Sequence, residues 1–194
     1  QGHTVVLALS GGVDSQVLAH CMVRMSSEFQ LTLKALGVDH GLRQDSSTEL
    51  LVARSLCHHL GIPFQTVKVR IPDKGNLMEQ ARQQRYAALQ NFSKQEKATW
   101  IVTGHHANDQ VETMLLHLCR GTSLDGVGGM WPRRNGLLRP LLTVTREEIE
   151  AYAQAEDINY ISDPTNDNTR FQRTKIRQHL IPKLLEINPH AVEH

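Results

Sequence analysis

Two short stretches hold residue types whose spacing could do chemistry. The first is Ser10-Gly11-Gly12-Val13-Asp14-Ser15, where an apolar run over Thr4–Leu9 breaks into glycine. A helical stripe of Val17, Leu18, Cys21, Met22 and Met25 follows it. A strand, a glycine turn and a helix N-terminus in succession make an anion site, because the first amides of a helix lack partners and its dipole favours negative charge. Two glycines let the backbone approach a phosphate with no side chain between them. The commoner phosphate loop ends Gly-Lys-Ser/Thr; this one has no lysine and carries Asp14 in the turn. A carboxylate beside a polyphosphate is repulsive unless a divalent cation bridges the two, so Asp14 points to Mg²⁺. The plainer reading is an ordinary glycine turn with a Ser or Asp cap.

The second stretch is Gly104-His105-His106-Ala107-Asn108-Asp109-Gln110-Val111-Glu112-Thr113, which follows an apolar run and opens a helix. Asp109 and Glu112 are three apart and project from one face at the helix start. Val111, Met114, Leu115 and Leu118 are expected to form the opposite, buried side. The two acids could serve only the helix dipole, although His105 and His106 just before them favour a site. A zinc centre on His105, His106 and Asp109 lacks a convincing set of further ligands. His40 and Arg43, in Val38-Asp39-His40-Gly41-Leu42-Arg43, end another apolar run and could meet a nucleotide or sit in a plain turn. Arg82, Arg85 and Tyr86 share a helical stretch and offer phosphate and base contacts, or a solvated face. Arg120 runs into Gly121 and either binds substrate or complements a helix end. Asp163-Pro164-Thr165-Asn166-Asp167 precedes Arg170, Arg173, Lys175 and Arg177, which reads equally as salt bridges or as a basic patch for RNA.

The elements that must position these residues alternate. Strands are expected over Thr4–Ser10, Leu31–Val38, Pro63–Val69 and Thr99–Gly104, with a short fifth over Leu137–Leu142. Helices are expected over Asp14–Met25, Ser46–Leu60 (through Leu50, Leu51, Ala53, Leu56, Cys57 and Leu60), Leu77–Phe92 and Asn108–Arg120. This rhythm predicts an α/β fold: a doubly wound, mainly parallel five-stranded sheet with helices on both faces. Ligands in such folds bind at the carboxyl ends of the strands, near a switch in strand order. Gly121–Gly136, rich in glycine, reads as a mobile loop over the site. Thr145-Arg146-Glu147-Glu148 is a capping box opening a helix to about Glu156. A last helix over Thr174–Ile187 is ended or kinked by Pro182. The chain thus divides into a core over 1–142 and a C-terminal helical extension over 143–194.

At 194 residues, 40% hydrophobic and 21% charged, the chain suits one soluble α/β domain, and its net charge of +1 neither demands nor excludes nucleic acid. Cys21, Cys57 and Cys119 form no C-x-x-C pair and are expected to be buried thiols, which argues against zinc or iron–sulfur centres. An odd cysteine count, with no signal peptide or membrane-length apolar run, points to the cytoplasm and away from a membrane. The first residue is Gln1, which suggests a piece of a longer protein. A homodimer stays open.

Ser-Gly-Gly-x-Asp-Ser resembles the pyrophosphate-binding loop of the PP-loop ATP pyrophosphatases, which cleave ATP between the α and β phosphates and adenylate a substrate. The ordered set of SGGVDS (10–15), DHGLR (39–43), GNLMEQARQQRY (75–86), GHHANDQVET (104–113), RGTSLDG (120–126), RPLL (139–142), DPTND (163–167) and RTKIR (173–177) resembles the tRNA(Ile)-lysidine synthetases. That resemblance implies that ATP adenylates the 2-carbonyl oxygen of cytidine 34 in the CAU anticodon of tRNA(Ile). Pyrophosphate leaves, the ε-amine of free L-lysine attacks C2, and AMP leaves. It implies that Ser10–Ser15 and Mg²⁺ hold the pyrophosphate and that Asp109 and Glu112 take the lysine ammonium. His105 and His106 are the nearest candidates for the base. The family usually carries further tRNA-gripping domains, so this chain is expected to bind ATP and to hold tRNA weakly. The chain departs from the pattern at Asn108, where an Asp is common, at Gly37, often His, and at Thr174, often Asn. The alternatives are another PP-loop tRNA-modifying enzyme, such as a thiolase, and an ATP-binding module without catalysis.

Overall fold

The structure is a computed structural model and describes residues 2–41, 46–71, 77–123, 127–161 and 172–192. Its centre is β1 (His3–Leu9), an unbroken apolar strand that pairs in parallel on both sides. On one side lie β2 (Leu31–Asp39) and then β3 (Phe64–Lys68); on the other lies β4 (Trp100–Val102). The chain winds outward from β1 to β3 and then crosses back to the far side of β1. The strand order therefore reverses between β1 and β4, the place where the two chemistry-bearing loops leave the sheet.

Beyond β4 the sheet gains β6 (Leu137–Leu138) in parallel and β5 (Arg133–Arg134) antiparallel to it, giving six strands in the order β3-β2-β1-β4-β6-β5. The expected mainly parallel sheet is present, with one antiparallel strand added. Asn135 and Gly136 both have positive φ (50° and 76°), the backbone of a two-residue hairpin turn. The glycine-rich stretch is therefore structured from 127 to 136 rather than a mobile loop. The Gln110 side chain receives the Met130 N–H at 2.6 Å and donates back to the Met130 carbonyl at 3.0 Å, and the Arg133 guanidinium lies 4.3 Å over the Trp100 ring. The expected strand over Leu137–Leu142 stops at Leu138 because Pro140 has no N–H to pair. The Arg139 N–H turns to the Pro132 carbonyl, and Leu141 and Leu142 leave the sheet to become buried.

Alternation along β1 sorts the helices. Val5, Leu7 and Leu9 face α1 (Val13–Ser26), α2 (Ser46–His59) and α5 (Arg146–Ala155) in the main core. Val6 faces α3 (Leu77–Gln95) through Leu89 and Phe92. The predicted stripes hold in α1 and α2 except at their edges, where Met25 and Leu51 are exposed. A Cβ at Gly37 would meet the Leu50 side chain at 2.5 Å and the Phe64 ring at 2.8 Å, so a larger residue does not fit this backbone. Of the cysteines only Cys57 is fully buried, its thiol pushed up to about 12; Cys119, at the last position of its helix, is exposed.

α4 (Ala107–Cys119) buries a different face from the one expected: Ala107, Glu112, Thr113 and Leu116 are inside, while Leu118 is exposed. The cause is a C-terminal helical run of α6 (Gln172–Lys175), a π turn (Ile176–Leu180) and α7 (Ile181–Ile187), whose Ile176 and Ile181 pack on Leu116. The helix neither ends nor breaks at Pro182. Its preceding turn widens, with the Ile181 N–H reaching the Ile176 carbonyl five residues back.

The capping box of α5 is formed: Thr145 Oγ1 accepts from the Glu148 N–H at 3.2 Å, and the Glu148 carboxylate accepts from the Thr145 N–H at 2.8 Å. Thr145→Ala is expected to destabilise the chain by about 1 kcal/mol, read as a lower urea midpoint with an unchanged slope.

Candidate functional site

The loop after β1 is held in shape by its own serines. Ser15 Oγ receives the Ser10 N–H at 3.2 Å and donates to the Gly12 carbonyl at 2.9 Å, and the two hydroxyls lie 3.3 Å apart. Gly11 has φ +84°, and a Cβ there would collide with the Glu49 carbonyl of α2. The Gly11 carbonyl accepts from the Ile161 N–H at 3.1 Å. α1 starts at Gly12 with no side-chain cap, so its positive dipole end is left for an anion.

The loop after β4 rests directly on it. A Cβ at Gly104 would stand 3.0 Å from the Asp14 carbonyl oxygen, so the two main chains touch. His106, almost fully buried, places Nε2 3.8 Å from Asp14 Oδ1 and 3.6 Å from Asp109 Oδ2. Asp109 also accepts from the His106 N–H at 3.2 Å. Burial pushes the Asp14 carboxyl above its ordinary value, and His106 and Arg146 pull it back. Arg146, the first residue of α5, lies with Nη1 2.9 Å from both Asp14 oxygens, and its Nε donates to Glu150 at 2.7 Å. The Asn108 amide oxygen accepts from the Arg146 N–H at 2.9 Å. At this departure from the family pattern the side chain therefore ties α4 to α5. His105 bonds Thr103 Oγ1 through Nδ1 at 2.8 Å, and burial holds its pKa down at about 4, leaving a neutral imidazole.

Glu112 is fully buried, its Oε1 2.6 Å from Arg177 Nε, and Arg173 donates to Thr113 Oγ1 at 2.7 Å. Asp109 thus faces the loops while Glu112 faces the C-terminal helices. The Arg82 and Arg85 guanidinium groups lie 5.1 and 5.6 Å from the Tyr86 ring centre, and both arginines act electrostatically on His105. His40 joins this side, its pKa lowered by burial and then by Arg85. Buried polar atoms without a hydrogen bond among the described residues include His40 Nδ1, Tyr86 OH, His106 Nδ1, Glu112 Oε2 and Arg139 Nε. Arg120 is not brought in. It bonds Gln172 at 2.8 Å from the far end of α4, about 16 Å of helix from Asp109. Arg43, the Asp163–Asp167 motif and Arg170 lie outside the described residues.

A protein-family profile of the PP-loop domain matches residues 1–184. The chain belongs to the PP-loop domain family. It is similar to the curated tRNA(Ile)-lysidine synthases of Thermosipho africanus (36% identical, covering 95% of this chain and 44% of the relative), Pseudomonas aeruginosa (37%; 96% and 43%) and Bacillus cereus (36%; 98% and 42%). The chain spans less than half the length of these relatives. Among solved structures it superposes on the U34-tRNA thiolase NcsA of Methanococcus maripaludis, determined with its 4Fe–4S cluster, at a TM-score of 0.81. Sequence identity there is 18%, with 98% of this chain and 69% of that chain covered, a likeness of fold.

The PP-loop carboxylate offers hard oxygen donors, about a quarter exposed at the head of the phosphate loop, which suits a Mg²⁺ that keeps most of its ligands from water and phosphate. No group of three or more His, Cys, Asp or Glu that could hold a metal occurs among the described residues. No helix among the described residues is long and apolar enough to cross a membrane. Arg146 is the site residue that sequence reasoning missed. Its signal was a cation in the first turn of a helix, where the dipole disfavours one.

His105 is neutral in the folded chain down to about pH 4 and titrates near 6.5 when unfolded. The unfolded state therefore binds more protons between those values, and stability is lost as pH falls from 6.5 to 4, by roughly 3 kcal/mol. Urea midpoints across that range are expected to fall more steeply for the native chain than for His105→Gln.

Proposed function

We propose that this chain is the catalytic PP-loop part of a tRNA(Ile)-lysidine synthase. The observation that carries the reading is one imidazole shared by two loops. His106 Nε2 lies within 4 Å of both Asp14 in the phosphate loop and Asp109 at the start of α4. A nucleotide held at Ser10, Gly11, Gly12, Val13, Asp14 and Ser15 would then present its α-phosphate beside an acidic pocket, the juxtaposition that adenylation followed by amine attack requires. The match of nearly all of this chain to relatives of that name and the eight ordered motifs support the same substrate pair, ATP and tRNA(Ile) with a CAU anticodon, together with free L-lysine.

In this reading the cytidine 2-carbonyl oxygen attacks the α-phosphorus, the bond to the bridging oxygen breaks, and pyrophosphate leaves into the amide cradle of the loop. Mg²⁺, held by Asp14, would neutralise charge on that leaving group. The lysine ε-amine then attacks C2 and AMP departs with the former carbonyl oxygen. Glu112, expected from the resemblance to share in holding the ammonium, is fully buried and paired with Arg177 on the side of the C-terminal helices, so Asp109 holds the ammonium before attack. The proton it sheds passes to His106, since His105, held near pH 4, is too weak a base. His40 and Arg43 are nucleotide contacts. Arg82, Arg85 and Tyr86 are the RNA contacts, with Arg120 outside the crevice. Arg173 and Arg177 serve the same site by fixing Thr113 and Glu112.

The likeness to a thiolase, at 18% identity, is one of fold alone. With ATP and a CAU-bearing tRNA(Ile) transcript, pyrophosphate release is expected without lysine and AMP release only with it. ATP binding with neither product would leave a binding module instead. Asp109→Asn is expected to raise the KM for lysine about tenfold or more while leaving the KM for ATP within about twofold, as steady-state titrations would show.

A further inference from the structure

Arg146 is a cation in an unfavourable place. It is the first residue of α5, where the helix dipole is positive, yet its backbone and side chain are fixed from three directions. Asn108 holds its N–H, Glu150 holds Nε, and Asp14 receives Nη1 on both oxygens at 2.9 Å. Nη2 has no hydrogen-bond partner among the described residues, and the side chain is one-third exposed. The phosphate loop lacks the lysine that other phosphate loops use and carries a carboxylate instead. An incoming polyphosphate would therefore meet Asp14 unless a cation stood beside it, and Arg146 already stands there.

We propose that Arg146 is a phosphate-binding residue of the nucleotide site, which neutralises Asp14 while the site is empty and donates to the nucleotide phosphates when it fills. The Glu150 contact keeps the stem in place while the outer nitrogens change partner. A guanidinium suits this exchange because its five donors point in a fixed fork, so it can contact a carboxylate and a phosphate together. The inference rests on the nucleotide reading of the Ser10–Ser15 loop.

The alternative is that Arg146 is only the counter-ion of Asp14. Calorimetric titration of the whole chain with ATP in EDTA, so that no divalent cation contributes, separates the two in the Asp14→Asn background, where no charge remains to be neutralised. Adding Arg146→Ala to Asp14→Asn is expected to weaken ATP binding about tenfold or more, with adenosine affinity unchanged. Adding Arg146→Lys is expected to restore much of the loss. If Asp14→Asn with Arg146→Ala binds ATP as tightly as Asp14→Asn alone, the proposal is overturned. Should the alanine variant fail to melt cooperatively, Arg146→Gln in the same background gives the same comparison. Absence of ATP binding by the unmutated chain both in EDTA and with added Mg²⁺ would instead overturn the nucleotide reading of the loop itself.

Discussion

The contact between two main chains at Gly104 is the constraint on which the site depends. The strand-end loops after β1 and β4 come close enough that a Cβ at residue 104 would crowd the Asp14 carbonyl oxygen at 3.0 Å, so a side chain there would push the loops apart. Because the loops touch, His106 reaches Asp14 and Asp109 at once, and α4 begins where α1 begins. Neighbouring parallel strands bring this about: β4 pairs with β1, so their carboxyl ends emerge side by side. Two helix N-termini then converge on one spot. Two carboxylates there are acceptable because His106 and Arg146 stand among them.

What was legible in the sequence was what lies close along it. The strand–glycine–helix succession at 4–15 and the capping box at 145–148 need only local spacing, and both are formed as read. Periodicity located the strands and helices to within a few residues, since a period of two or 3.6 reports which side meets apolar neighbours. It failed at α4, where the residues expected to be buried leave Leu118 in water and Glu112 inside. A helix pattern states which side is apolar; it does not state that a distant basic helix will cover the polar side. Asp14 and Arg146 are 132 positions apart and Glu112 and Arg177 are 65 apart, so no local rule links them. Asn135-Gly136 was different. The hairpin signal was present in the sequence and was overshadowed by the glycines around it.

The side of the crevice at His105 is rich in cations, while Asp14 and Asp109 lie at His106. Arg82, Arg85 and Arg139 all act on His105, and burial lowers the pKa of Arg85 itself. Among the described residues, buried polar atoms of His40, Tyr86, His106 and Arg139 have no hydrogen-bond partner. Close like charges are unfavourable in an isolated chain, and an anionic ligand would relieve them. Stability and occupancy of the site would then be linked, since an anion bound there would favour the folded chain.

The two-residue strand at Arg133–Arg134 also closes the sheet. An outer strand presents unpaired backbone groups that another chain can extend, and flat apolar edges invite such addition. Here the outermost strand is two residues long, both of them exposed arginines, and it turns back through a tight hairpin. Arg133 is in addition drawn inward over Trp100. A second copy arriving at this border would find almost no backbone to pair with and two positive charges in the way. The hairpin that ends the sheet on this side thus disfavours the addition of a further strand at that edge, and β3 forms the opposite edge.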